Sequence, residues 1–338
     1  MSAAVPILEF SGMAGRVMVT GGAGFIGSNL ANYLARQNYF VLVLDILDYC
    51  GDIENLEDFP NIKFVQGDIA DINFVRFLLE TYDIQIVLHL AAQTHVDNSF
   101  GNSLGFTETN VLGTHRLLET VRRYGKISLF LHMSTDEVYG EIDFDEARGY
   151  TEDRLLNPTN PYAASKAAAE QLVRSYHISH NLPIIITRAN NNYGPRQFPE
   201  KLIPKFIMKF LGNETVPIHG NGQTRRNFIH VYDTCRALET VMTRGEIGMT
   251  YNIGTNCEYS VLEIAEILRQ KIQPCLDEPL IFVADRNFND RRYHINDDLL
   301  RSLGWSETVS FEEGLEETIE WYRSRYHSYH SVMQEHVK

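Results

Sequence analysis

Two adjacent carboxylates, Asp136 and Glu137, lie where a buried strand is expected to end. The apolar run "ISLFLHM", residues 127–133, predicts that strand, and Tyr139 and Gly140 favour a turn after the acids. Carboxylates this close can hold different protonation states, because the charge of one raises the pKa of the other. The pair could therefore supply a general acid and a general base, provided that the chain leaves strand conformation near Asp136.

Tyr162 and Lys166 are the second candidate pair. They lie four residues apart in "PYAASKAAAE", which predicts a helix from Pro161 to about His180 with both side chains on one face. A nearby ammonium group, together with any second positive charge, can lower the pKa of a tyrosine, which makes its phenolate a base near neutral pH. Each pair alone also has an ordinary explanation, a solvated capped loop for the acids and a polar helix face for Tyr162 and Lys166.

The stretch "VTGGAGFIGSNL" predicts a dinucleotide-binding loop. Gly21, Gly24 and Gly27 follow the first predicted strand and open the first helix, whose N-terminus can hold a pyrophosphate. Asp45 ends the next strand, at the distance expected for an acid that binds the adenosine ribose. An acid there favours NAD over NADP, because it would repel a 2′-phosphate. The alternative is a simple glycine turn with a helix-capping aspartate.

The elements that must position these residues predict an α/β protein. Apolar strands alternate with helical stretches, which indicates a Rossmann-type doubly wound parallel sheet with a smaller C-terminal substrate-binding lobe. We expect the NAD-binding domain over residues 14–192, with later segments at about 228–255 returning to it. Proline and aromatic residues become frequent from Tyr193, so residues 193–325 are mainly the substrate-binding lobe, and the polar tail 326–338 is expected to fray.

Composition excludes several classes of protein. The 338 residues include 44 acids and 30 bases, and a net charge of −14 argues against a nucleic-acid or anionic-membrane surface. The four cysteines form no C-x-x-C pair and suit a reducing compartment. We see no signal peptide, no membrane-spanning run and no metal-ligand spacing among the histidines. The expected location is therefore cytoplasmic, with no metal site.

Several motifs resemble those of one family. From about residue 16 to 322 the chain resembles the extended short-chain dehydrogenases/reductases, and "TDEVYG" is similar to the signature of the nucleotide-sugar 4,6-dehydratases. The stretches "AAQTHVDNSF", "NPTNPYAASKAAAE", "NNYGPRQFPEKLIPKFI" and "DRNFNDRRY" support the same branch. "HVDNSFGNS" and "LLNPTNPY" are most similar to the UDP-glucose 4,6-dehydratase portion of rhamnose synthases, and the dTDP-glucose 4,6-dehydratases come second.

This resemblance implies conversion of UDP-glucose to UDP-4-keto-6-deoxy-glucose, an early step of UDP-rhamnose-type deoxysugar synthesis. Tyr162 would take the O4 proton while NAD⁺ takes the C4 hydride. Glu137 would then remove the C5 proton, Asp136 would protonate the leaving C6 hydroxyl, and the hydride would return to C6. Thr135 would hydrogen-bond O4 or a neighbouring hydroxyl, and Lys166 would hold the nicotinamide ribose.

The resemblance also implies two sets of binding residues. The cofactor-binding set is Gly21, Gly24, Phe25, Ile26, Gly27, Asp45, Asp48, Asp68, Ile69, Ala91, Ala92, Thr94, Ser134, Tyr162, Lys166 and Asn192. The substrate-binding set is His95, Thr135, Asn191, Lys201, Leu202, Pro217, His219, Arg226, Arg286, Asp290 and Arg291. The arginines are included because guanidinium groups suit diphosphate contacts, although each could equally form a surface salt bridge.

Three alternatives remain open from the sequence. A dTDP-glucose 4,6-dehydratase is the first, a nucleotide-sugar 4-epimerase of the same fold is the second, and a non-catalytic NAD-binding protein is the third. The 4-epimerases tend to carry a small residue pair at the position of Asp136 and Glu137. The helices containing "NVLGTHRLLETV" and "AASKAAAEQLV" resemble the family's four-helix dimer interface, so we expect a homodimer, although the alanines could instead pack on the sheet.

Overall fold

The structure is a computed structural model, and it describes residues 12–285 and 289–330. The strands are β1 (Arg16–Thr20), β2 (Phe40–Asp45), β3 (Ile62–Gln66), β4 (Ile86–His89), β5 (Leu129–Thr135), β6 (Ile184–Ala189), β7 (Asn191–Tyr193), β8 (Val216–His219), β9 (Arg225–His230), β10 (Thr250–Ile253), β11 (Glu258–Ser260) and β12 (Leu280–Val283). The α-helices are α1 (Phe25–Arg36), α2 (Ile72–Thr81), α3 (Val96–Gly101), α4 (Ser103–Phe106), α5 (Thr114–Tyr124), α6 (Pro161–His180), α7 (Leu202–Leu211), α8 (Val231–Arg244), α9 (Val261–Ile272), α10 (Asp298–Ser302) and α11 (Phe311–Ser324).

Seven parallel strands form the main sheet, in the order β3-β2-β1-β4-β5-β6-β10. Every residue of β2 and of β5 is buried, because helices cover both faces. Helices α2, α5 and α6 pack on one face, and α1 and α8 pack on the other. The predicted doubly wound, Rossmann-type sheet is confirmed.

The sheet fixes where a ligand can bind. The strand order reverses between β1 and β4, so the loops after these two strands diverge and leave a crevice at their carboxyl ends. The glycine loop follows β1, and the turn that carries Asp136 and Glu137 follows β5, two strands away. Both candidate sites therefore lie at the same edge of the sheet.

Two small sheets and several helices form the C-terminal lobe. Strands β11, β9 and β7 form one sheet, and β12 pairs with β8 in another. Phe206 and Phe210 of α7, Leu268 of α9 and Tyr322 of α11 pack in a separate hydrophobic core. Strand β10 and helix α8, in contrast, belong to the main sheet and its covering layer.

The C-terminal segment differs from the expected frayed tail. Residues 326–330 are helical, and Tyr329 packs edge-on against Trp321, with the ring centroids 5.3 Å apart. This contact adds an aromatic ring to the lobe core, which explains why the segment is held. The expectation for residues 331–338 lies outside the described residues. Within residues 12–285 and 289–330, none of the helices has the length and apolar character needed to cross a membrane.

Candidate active site

The acid pair stands on a turn at the end of β5. The strand ends at Thr135, and residues Asp136–Tyr139 form a short 3₁₀ helix. The Thr135 hydroxyl accepts the backbone N–H of Glu137 at 3.3 Å, which starts the turn, and Gly140 closes it with a φ of 78°. The chain therefore leaves strand conformation at Asp136, and both acids line one cavity.

Burial controls the charge of the two acids. Asp136 is 2% exposed, and burial together with the charge of Glu137 raises the pKa of Asp136 to about 7. Burial also raises the pKa of Glu137, and the positive charge of Arg226 opposes the rise at both acids. Asp136 can therefore hold a proton near neutral pH, as a general acid must.

Tyr162 and Lys166 stand on the first turns of α6, which has the bounds that the sequence predicts. The Lys166 Nζ donates to the Met133 carbonyl oxygen at 2.7 Å, and burial lowers the pKa of Lys166 to about 8. Burial and the negative charge of Glu137 raise the pKa of Tyr162. Burial is the largest effect on the pKa of Tyr162, and the Lys166 ammonium is bound to a backbone carbonyl.

A buried polar network connects α6 with the acid turn. Arg188 on β6 and Glu170 on α6 are 1% and 0% exposed, and the Arg188 Nη2 donates to Glu170 Oε2 at 2.7 Å. The Nη1 of the same arginine donates to the Tyr139 hydroxyl at 2.6 Å. That hydroxyl donates to Asn252 Oδ1 on β10 at 2.8 Å. The network therefore fixes the helix of Tyr162 relative to the turn of the acids.

The glycine loop is shaped for a close backbone approach. Gly21 has a φ of 67°, and a Cβ on Gly27 would lie 2.1 Å from the Gly21 carbonyl oxygen, so side chains are excluded at both positions. The Asp45 carboxylate accepts the backbone N–H of Ala23 at 2.9 Å and that of Leu47 at 2.8 Å. Asp45 therefore holds the glycine loop against the end of β2.

One cavity of about 670 Å³ joins the glycine loop to the acid turn. Every residue of the predicted cofactor set lines it: Gly21, Gly24, Phe25, Ile26, Gly27, Asp45, Asp48, Asp68, Ile69, Ala91, Ala92, Thr94, Ser134, Tyr162, Lys166 and Asn192. Thr135, Asp136, Glu137, Asn191 and Lys201 also line it. The structure thus brings the predicted cofactor and catalytic residues into a single space.

Three side-chain contacts bridge the loops around this cavity. The Gln93 Nε2 donates to Asp48 Oδ2 at 2.6 Å, which joins the loops after β4 and β2. The Tyr49 hydroxyl donates to Glu200 Oε2 at 2.8 Å, and Lys201 Nζ donates to a carbonyl oxygen of the loop after β4 at 2.8 Å. The segment before α7 is therefore tied to the cofactor side of the cavity.

The other predicted substrate residues lie outside the cavity lining. Arg226 does not line the cavity, but its charge lowers the pKa of both acids. Its guanidinium lies over the Tyr293 ring, 4.5 Å from the ring centroid, and donates to the Asp290 carbonyl oxygen at 2.9 Å. Arg291 is 61% exposed and forms an ion pair with Glu141, with Nε 2.9 Å from Oε1. The remaining described residues of that set that do not line the cavity are His95, Leu202, Pro217, His219 and Asp290. Arg286 lies outside the described residues.

Sequence reasoning missed two asparagines that contact the acids. Asn160 Nδ2 donates to Glu137 Oε2 at 3.0 Å, and Asn190 Nδ2 donates to Asp136 Oδ2 at 2.7 Å. Asn160 had a detectable signal as the N-cap before the proline that begins α6. Asn190 had none, since its partner lies 54 residues away in the chain. Other cavity residues outside the predicted sets include Tyr49, Gln93, Arg116, Gln197 and Glu200.

The fold and the cavity define a Rossmann-type dinucleotide-binding protein that places two acids and a tyrosine–lysine pair in one space. The family model described as GDP-mannose 4,6 dehydratase matches residues 18–318. The chain therefore belongs to that family, and the resemblance to nucleotide-sugar 4,6-dehydratases is confirmed.

Relatives and solved structures agree with this assignment. The chain is 49% identical over 311 residues to a trifunctional UDP-glucose 4,6-dehydratase/UDP-4-keto-6-deoxy-D-glucose 3,5-epimerase/UDP-4-keto-L-rhamnose-reductase of Arabidopsis thaliana, covering 90% of this chain and 47% of the relative. It is 46% identical over 334 residues to the human dTDP-D-glucose 4,6-dehydratase, covering 95% and 93%. A dTDP-glucose 4,6-dehydratase of Streptomyces venezuelae, solved with NAD bound, has a TM-score of 0.89, 39% identity and coverage of 94% and 99%.

Proposed function

We propose that this chain is an NAD-dependent nucleotide-sugar 4,6-dehydratase and that its substrate is UDP-glucose. The observation that carries the proposal is the buried pair Asp136 and Glu137, which shares one cavity with Tyr162, Lys166 and the glycine loop. A 4-epimerase needs no acid to eliminate water, so this pair favours the dehydratase. The pKa of about 7 at Asp136 further supports a general acid that works near neutral pH.

The residues of the cavity fit a bound NAD. Gly24 is the N-cap of α1 and offers no side chain to cap the helix, so the first N–H groups of α1 can face a pyrophosphate. Asp45 lies at the end of β2, where an acid suits the adenosine ribose and disfavours a 2′-phosphate. When bound there, NAD supplies reversible hydride acceptance, and Lys166 is placed to hold its ribose.

The side chains supply the proton transfers. Tyr162 takes the proton of the sugar O4, and transfer of the C4 hydride to a bound NAD would leave a ketone at C4 that makes the C5 hydrogen acidic. Glu137, held ionised, removes the C5 proton, and Asp136 protonates the C6 hydroxyl as it leaves as water. Because burial raises the pKa of Tyr162, the phenol requires a further positive charge beside it before it can act as a base, and an oxidised nicotinamide carries such a charge.

The choice of UDP-glucose rests on similarity to the plant relatives. Their names include a UDP-glucose 4,6-dehydratase activity, and this chain spans about half of their length. The identity to the dTDP-D-glucose 4,6-dehydratases is only slightly lower, at 46%. A methyl group in an apolar pocket changes specificity by about 1–3 kcal/mol, so both bases belong in the test.

We also propose a homodimer that forms through α5 and α6. Ile178 on α6 is 80% exposed, and Leu104 and Leu112, in the segment leading into α5, are also exposed. Burying such side chains is favourable by about 25 cal/mol per Å² of apolar surface. Light scattering of the purified chain should give twice the mass of 38.7 kDa, and a mass of 38.7 kDa would refute the dimer.

The variant Glu137→Gln separates the proposal from its alternatives. It is isosteric and removes the base for C5, so we expect water release from UDP-glucose to fall by about 10²- to 10⁴-fold. Oxidation at C4 needs Tyr162 and bound NAD but not Glu137, so reduced cofactor should still accumulate and be visible by absorbance. An epimerase or a non-catalytic protein would show no such separation of the two half-reactions, which would refute the proposal.

A further inference from the structure

Each acid of the pair has its own asparagine partner. Asn160 donates to Glu137 and Asn190 donates to Asp136, and the two asparagines are 6% and 3% exposed. They come from different parts of the fold, since Asn160 is the N-cap of α6 and Asn190 follows β6. Water has little access to either contact, so a lost donor would not be readily replaced.

The orientation of both amide groups is fixed by the backbone. Asn160 Oδ1 accepts the N–H of Ala163 at 2.8 Å, and Asn190 Oδ1 accepts the N–H of Thr255 at 3.0 Å. A flipped amide would place an NH₂ group against these N–H groups and lose both bonds. Each asparagine must therefore present its NH₂ group to the acid as a donor.

We propose that Asn160 and Asn190 are positioning residues, each of which orients one acid and stabilises its ionised form independently of the other. Asn160 stabilises the ionised form of Glu137 and so keeps it a base. Asn190 donates to Oδ2 of Asp136 and the Thr135 hydroxyl donates to Oδ1 at 3.2 Å, so the two donors hold the carboxyl in one orientation and favour its ionised form. This inference rests on the proposed dehydratase chemistry, in which one acid gives a proton and the other takes one.

Charged groups on other elements act on the same two acids. Arg226 on β9 lowers the pKa of both, Lys201 before α7 lowers that of Glu137, and Asp290 raises it. The neighbouring hydroxyl groups whose pKa values respond to Glu137 are Tyr162 and Tyr293. Because Arg226 acts on both acids alike, it cannot change the pKa of one acid without the other, whereas each asparagine bonds to only one.

The variant Asn160→Ser tests the first half of the proposal. Serine is a good helix N-cap, so α6 keeps its cap while the donor to Glu137 is lost. A hydrogen bond donated to a charged carboxylate lowers its pKa by about one unit or more, so loss of the donor should raise the pKa of Glu137 by about one unit. The base must be ionised, so the acidic limb of the pH profile of kcat should move up by about one unit while the basic limb stays.

The variant Asn190→Ser tests the second half, with the opposite signature. Loss of the donor raises the pKa of Asp136, and because the acid must be protonated, the basic limb should move up by about one unit. Asn190→Asp keeps an acceptor for the Thr255 N–H and places a second carboxylate beside Asp136, so it should move the basic limb further. Asn61→Ser, at a half-buried asparagine that binds the Ala35 and Tyr39 carbonyls, is the control and should move neither limb.

A titration that needs no catalysis separates this inference from the proposed function. Carboxyl ¹³C NMR of the full chain, assigned with Asp136→Asn and Glu137→Gln, measures both pKa values directly. We expect Asn160→Ser to raise only the Glu137 value and Asn190→Ser only the Asp136 value. Unchanged values, or one variant raising both equally, would overturn the inference. Raised values in a chain that releases no water from any nucleotide sugar would instead refute the proposed function alone.

Discussion

The burial that raises the pKa of Asp136 suits a general acid, but it should also lower the stability of the folded protein. The pKa of Asp136 rises from an ordinary value of 3.8 to about 7, and at about 1.36 kcal/mol per pKa unit the cost of its ionisation in the folded protein approaches about 4 kcal/mol. The isosteric variant Asp136→Asn cannot ionise. Its amide can still accept from Asn190 and face the Thr135 hydroxyl, so the fold should keep both contacts. We therefore expect the variant to be more stable than the wild type.

The stability that Asp136→Asn gains over the wild type should depend on pH. Because the folded pKa is above the unfolded one, the protonated carboxyl stabilises the wild type fully below pH 3.8, and this stability is lost as the pH rises through about 7. The advantage of Asp136→Asn should therefore be small near pH 4, about 2 kcal/mol near pH 5.5, and about 4 kcal/mol above about pH 7.5.

Urea denaturation in saturating NAD, measured at several pH values, is the assay. Asp145→Asn, at an exposed loop position, is the matched control and should change the free energy of unfolding by less than about 0.5 kcal/mol at every pH. A pH-independent difference between Asp136→Asn and the wild type would refute the reasoning. It would mean that Asp136 is ionised in the folded protein at an ordinary pKa.

Two further substitutions test the surroundings of the site. Glu170→Gln leaves Arg188 buried without its counter-charge and should lower the free energy of unfolding by about 3–5 kcal/mol, whereas Glu80→Gln in an exposed pair should cost less than about 1 kcal/mol by the same urea assay. Gly27→Ala places a Cβ against backbone and should weaken NAD binding by about 10- to 100-fold in calorimetry, whereas Gly101→Ala meets open space and should bind normally.

Local signals were sufficient for the main sheet and for α6. Continuous apolar runs predict β2 and β5, and Pro161 followed by an alanine-rich stretch predicts a helix whose observed bounds agree. The glycine spacing also places the loop after β1 correctly, because the strand, the turn and the helix are consecutive in the chain.

Contacts between distant segments could not be read from the sequence. Asn190 reaches Asp136 across 54 residues, and Arg291 pairs with Glu141 across 150, which leaves that arginine exposed instead of lining the cavity. The spacing of Tyr162 and Lys166 along the helix indicates a positive charge that could lower the pKa of Tyr162. Burial, which depends on the packed fold, instead raises it.

Mass spectrometry of nucleotide sugars incubated with the purified protein tests the central claim most directly. The protein is incubated separately with UDP-glucose and with dTDP-glucose in the presence of catalytic NAD⁺ only. Our account predicts loss of one water from UDP-glucose, with no net reduced cofactor and slower loss from dTDP-glucose. Faster loss from dTDP-glucose would overturn the choice of base. An unchanged mass with both sugars would contradict the dehydratase, and a C4 epimer detected by NMR in those samples would identify an epimerase.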